Sequence, residues 1–132
     1  MADLKALRRQ SVEMADDLLS VLEIPFEETT ELQRQLLASF SFGMLFVIGQ
    51  INKLTGSEIH ALTICLLLDV FKYSDHQAVR FADDLIEAGS GRGNPTTNAV
   101  IHRGIDGHRQ WEAGLRSELK SNIDGIFKMV HA

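Results

Sequence analysis

The sequence predicts an all-α protein, a single-domain bundle of five or six helices around two hydrophobic central helices. Three observations carry this reading. Apolar residues recur at spacings of three and four nearly throughout, the period of one helix face, and no stretch alternates with the period of two that a half-buried strand requires. Side chains that cap helix N-termini recur at intervals of one helix plus one loop. A length of 132 residues with 45% hydrophobic side chains supports one core and one domain, 1–132.

The first helix places Leu4, Leu7, Ser11, Met14, Leu18 and Leu22 on one stripe, widened by Ala15 and Leu19. Pro25 ends it, because proline crowds helical geometry in the preceding residue. Thr30-Glu31-Leu32-Gln33 matches a capping box, in which two side chains satisfy free backbone N–H groups reciprocally. A second helix starts there and is expected to run to about Leu54, with Gly56 in the left-handed conformation that closes many helices. Ser57 is expected to cap a third helix at once, and Ile59, Leu62, Ile64, Cys65, Leu66, Leu67, Leu68, Val70 and Phe71 leave that helix almost no polar face. Helices two and three are therefore expected to pair at the centre of the core. Ser74-Asp75-His76-Gln77 is another capping box, opening a fourth helix with Ala78, Val79, Ala82, Leu85 and Ile86 facing inward and Gly89 at its end. Asn94 caps the next helix, and Pro95 takes its first position, where a missing N–H costs nothing. The helical pattern then continues to Val130. One straight helix would reach about 50 Å, more than a small domain spans, so a break is expected near Gly114 or around Ser121-Asn122.

Residues 35–52 carry no formal charge and just suffice in length to cross a bilayer. Ser39, Ser41, Gly43, Gly49, Gln50 and Asn52, with no flanking basic cluster, favour instead a helix wrapped by its neighbours, and no membrane contact is expected. The N-terminus lacks the basic head and uninterrupted apolar run of a signal peptide. A lone Cys65 forbids an internal disulfide and fits a reducing compartment, so the expected location is the cytoplasm. The formal charge of −5 argues against a nucleic-acid binder, whose affinity comes mainly from cations on phosphates. Charge is uneven along the chain: residues 1–31 hold eight acids against three bases, whereas residues 91–132 hold four against six.

The densest group of chemically versatile side chains is His102-Arg103-Gly104-Ile105-Asp106-Gly107-His108-Arg109-Gln110-Trp111. On a helix His102, Asp106 and Arg109 share one face, while His108 and Trp111 follow the apolar stripe. Arg103 and Arg109 offer forked donors to a carboxylate or phosphate. His108 is expected inside, hydrogen-bonded within the protein. A metal held by His102 and Asp106 lacks the further ligands that zinc requires, and neither a metal nor a cofactor is expected. The glycine loop around Arg92 leads into a helix N-terminus suited to an anion, without the Gly-Lys-Ser/Thr ending of a phosphate-binding loop.

In size, acidity, its two greasy central helices and the His-Arg-Gly-Ile-Asp-Gly-His-Arg-Gln-Trp segment on a late helix, the chain resembles the small all-helical immunity proteins that bacteria encode beside secreted or contact-dependent toxins. The resemblance implies a non-enzymatic inhibitor that binds a cognate toxin one to one in the cytoplasm, itself a monomer or homodimer. Two surfaces then qualify as partner-binding: an acidic one with Glu23, Glu27, Glu28 and Glu31, suited to a basic toxin, and a polar one with Arg92, His102, Arg103, Asp106 and Arg109. An enzymatic alternative rests on the pairs Glu13/Asp16, Glu28/Glu31 and Asp84/Glu87. Glu27-Glu28-Thr29-Thr30-Glu31 resembles the first acidic motif of the all-α nucleotide pyrophosphohydrolases, in which facing carboxylates hold magnesium over a triphosphate. Here it straddles a helix start, and no second motif follows about one helix later. A third alternative is a dimeric helical regulator.

Overall fold

The structure is a computed structural model and describes residues 3–131. Among these every regular element is helical: α1 (Leu4–Ser20), α2 (Glu31–Ile51), α3 (Gly56–Asp69), α4 (Asp75–Gly89), α5 (Pro95–Glu112) and α6 (Arg116–His131), with a single 3₁₀ turn at Phe26–Glu28 before α2. The six helices form the expected all-α bundle.

The caps explain most boundaries. Thr30 with Gln33 and Ser74 with Gln77 form the capping boxes read from the sequence, and the Asn94 carboxamide accepts from the backbone N–H groups of Thr96 and Thr97. The start of α3 differs from expectation. Thr55, not Ser57, is its cap, because Glu58 stands three residues beyond Thr55 and returns a bond to the Thr55 N–H at 2.8 Å, whereas Ser57 has only His60 at that offset. Gly56 therefore becomes the first residue of α3 instead of closing α2. The left-handed position after α2 falls to Lys53, φ 55°, where Leu54 N–H reaches Gly49 O at 2.9 Å. The long C-terminal pattern breaks at Gly114, φ 72°, where the Leu115 N–H closes on Gln110 O at 2.8 Å.

α2 is long and apolar enough to cross a membrane by length and composition, and 67% of its most apolar window is buried inside the bundle. Every residue from Leu36 to Leu45 is buried. Its closest partner is α5, which replaces the expected pairing with α3. The reason lies in small residues rather than hydropathy. A Cβ on Gly104 would collide with the Phe40 carbonyl, one on Gly43 would collide with the Ile101 carbonyl, and Gly107 makes room for the Phe40 ring. These contacts run antiparallel, and only glycine lets two helix backbones approach so closely. α3 packs on α1 and α4 instead, with Arg8–Asp69 at 2.8 Å and His60–Asp83 at 3.0 Å bridging its two sides. Ile64, Cys65 and Leu68 are accordingly only half-buried, and Val79 on α4, expected inside, is 45% exposed. Leu4 also leaves the core at 39% exposure, where α1 has just begun. α6 folds back along α5 and closes the end of α1, donating from Arg116 to Ser20 O at 2.6 Å and from Lys120 to Glu23 at 2.9 Å.

Candidate partner-binding site

The polar side chains of α5 become a site because α6 returns beside them after Gly114. Between the two helices lies a groove of about 520 Å³ lined by His102, Arg103, Asp106 and Gln110 from α5 and Glu118, Ser121 and Asn122 from α6. The groove thus gathers His102, Arg103 and Asp106, read from spacing as neighbours. Arg109 stays outside it, exposed, with its Nε donating to Asp106 at 3.1 Å.

Arg103 has a different role from the free fork inferred for it. Its Nε donates to Asn122 Oδ1 at 2.8 Å, one terminal nitrogen donates to the Asn122 carbonyl at 3.2 Å, and the other faces Met129 Sδ at 3.7 Å. Gly125 leaves the room the guanidinium occupies, since a Cβ there would stand 3.1 Å from Arg103 Cζ. Asn122 returns its amide to Arg103 O at 3.2 Å and to Gln110 Oε1 at 3.1 Å. Arginine, asparagine and glutamine thus tie α5 to α6 and form the groove floor. The sequence concealed this network because Asn122 carries no motif and meets Arg103 and Gln110 only through the turn at Gly114. His102 accompanies them with Nδ1 2.9 Å from Asn98 O, which fixes that nitrogen as an N–H donor.

His108 and Trp111 pack inward as the stripe implies. His108 is 5% exposed and stands edge-on to Trp111 at 5.7 Å, and among the described residues its expected internal hydrogen bond is not formed; the Glu112 carboxylate stands 3.8 Å from its Nε2. Burial pushes the imidazole below its ordinary value, opposed by the Glu112 charge. Trp111 is half-buried, and its indole N–H donates to Asp17 at 2.9 Å.

The acidic candidates separate. Glu23 is paired with Lys120, and Glu27 and Glu28 are exposed on the 3₁₀ turn. Glu31 lines a second groove of about 700 Å³ between α2, α4 and the start of α5, whose walls also carry Asp84, Glu87 and Arg80. It accepts from the Tyr73 hydroxyl at 3.2 Å, and burial first and the Glu31 charge second hold that phenol well above its ordinary value. Arg92 is exposed on the turn after α4, at the glycine loop that leads into α5. Among the described residues no three His, Cys, Asp or Glu side chains stand close enough to hold one ion.

Fold and site together define a small all-α bundle with two polar grooves between its helices. The chain matches the family model of immunity protein 48 over residues 7–131 and belongs to that family. Its role is therefore an immunity role. No curated protein and no solved structure matches it.

Proposed function

We infer that the chain is a non-catalytic inhibitor that acts in the cytoplasm of the cell that makes it, holding a cognate protein toxin in a direct, one-to-one complex. The observation that carries the reading is the family match, which spans both walls of the α5–α6 groove as well as the core. The groove supports it physically. Its floor is braced by the Arg103–Asn122–Gln110 network, so little ordering entropy is lost when a partner enters. The contact proposed is His102, Asp106 and the exposed Arg109 around that floor. Glu27, Glu28 and Glu31, in the strongly acidic first quarter of the chain, act at longer range by attracting a basic toxin.

The test is growth rescue. Induction of the toxin domain encoded beside this chain's gene is expected to stop growth, and co-expression of the chain is expected to restore it. Restoration by unrelated immunity proteins to the same extent, or no restoration by this chain, contradicts the reading.

A further inference from the structure

Arg103 keeps one terminal nitrogen on a weak partner. Its Nε donates to Asn122 Oδ1 at 2.8 Å and one terminal nitrogen to Asn122 O at 3.2 Å, but among the described residues the other has only Met129 Sδ, at 3.7 Å. A thioether accepts a hydrogen bond poorly. The guanidinium is nonetheless held in place. Asn122, Gly125 and Met129 stand three and four residues apart and share one face of α6, and a Cβ on Gly125 would lie 2.5 Å from an Arg103 terminal nitrogen. Solvent reaches the sulfur as well. Met14 and Met44 are fully enclosed in the core, whereas Met129 is 42% exposed near the end of α6.

We propose that Met129 is an oxidation site whose sulfoxide is held by Arg103, so that hydrogen peroxide fastens α6 to α5 instead of loosening the bundle. The sulfur lone pair attacks one oxygen of the peroxide, the O–O bond breaks as the S–O bond forms, and the departing hydroxide takes the proton of the transferred oxygen and leaves as water. Sulfur is oxidised by two electrons and the peroxide is reduced. The product carries a polarised oxygen, a far better acceptor than the thioether. With the sulfur 3.7 Å from the nitrogen, rotation about the flexible methionine bonds brings that oxygen within about 2.7–3.2 Å of the donor, the span of an ordinary N–H···O bond. A sulfoxide disrupts an apolar core because it places a polar group there. Here the new oxygen stands at the surface and meets a cation. The inference goes beyond the immunity reading, and neither depends on the other.

Treatment of the intact chain with hydrogen peroxide, followed by dithiothreitol to return any sulfenic acid at Cys65 to the thiol, tests it by peptide mapping and thermal melts. Met129 is expected to be oxidised well before Met14 and Met44, and the oxidised chain to melt about 3 °C higher, the shift of one charge-assisted hydrogen bond gained in place of water. In Arg103→Leu the same oxidation is expected to give no rise, read against that variant's own untreated melt so that its lower baseline does not matter. Met129→Gln, with an amide oxygen in place of the sulfoxide, is expected to raise the melt of the untreated chain and to remove the response to peroxide; it decides the question where Arg103→Leu does not fold. Oxidation of Met14 or Met44 as fast as Met129 overturns the site. A wild-type melt left unchanged or lowered by oxidation overturns the capture by Arg103, as does an equal rise in Arg103→Leu or no rise in Met129→Gln.

Discussion

Replacing Gly104 with alanine sets two opposing effects against each other at the α2–α5 crossing. In an exposed helix the change would stabilise by about 1 kcal/mol, because alanine loses less backbone entropy than glycine. At this position the new Cβ would stand 2.9 Å from the Phe40 carbonyl carbon and 3.1 Å from its Cα, besides overlapping the carbonyl oxygen. Carbon atoms pack best at about 3.5–4.0 Å. The atoms struck are backbone, so no side chain can rotate away and the two helices must separate. Overpacking a filled core costs about 1–3 kcal/mol, and the upper end applies where backbone must move. The net expectation is a loss of about 2 kcal/mol from a total near 7–20 kcal/mol for a chain of this length. This corresponds to roughly 8 °C in Tm. Urea unfolding followed by far-ultraviolet dichroism measures it, with Gly56→Ala as the matched control, since a Cβ there meets nothing within 4 Å. A Gly104→Ala protein as stable as the wild type, or more stable, would refute the close glycine-mediated crossing.

Three further expectations come from the same structure. Arg103→Leu and Asn122→Leu should each destabilise by about 2 kcal/mol, and the double variant by less than the sum, because each single change strands the other buried partner; strict additivity in denaturant titrations would deny the network. His108 has a folded pKa below its unfolded value, so as pH falls through about 6.5 the unfolded chain takes up a proton first and stability declines, fully retained only above that range. His108→Leu should flatten this slope between about pH 7.5 and 5.5, measured as the urea midpoint at each pH. The Ser41 hydroxyl is buried with no hydrogen-bond partner among the described residues, so Ser41→Ala should leave stability unchanged or raise it by up to about 1 kcal/mol, and a clear loss in the melt would show that the hydroxyl is satisfied.

Local chemistry made much of this molecule legible. Caps are set by a few adjacent side chains, so Thr30–Gln33, Ser74–Gln77 and Asn94–Pro95 could be read directly, as could the break at Gly114. The same logic applied one step too late at α3, where Ser57 drew attention from the Thr55–Glu58 pair. Pairing between helices was harder to read. Hydropathy pointed to α3 as the partner of α2, but the match is made by Gly43, Gly104 and Gly107, which contribute almost nothing to an apolar count and everything to the distance of approach. The site divided along the same line. His102, Asp106 and Gln110 share a helix face that spacing reveals, whereas Glu118 and Asn122 join them only through a tertiary turn. Arg103 was visible as a donor, but its commitment to Asn122, some nineteen residues away, was not.

The central claim is that this chain neutralises its toxin by occupying it in a one-to-one complex. Light scattering of the two purified proteins, mixed at increasing ratios and separated by size, tests this most directly. The account predicts a single species whose mass is the sum of one chain and one toxin domain, with toxin activity falling to zero at equivalence. Toxin activity that disappears at sub-stoichiometric amounts of the chain, with no complex formed, would contradict it and return the chain to the enzymes.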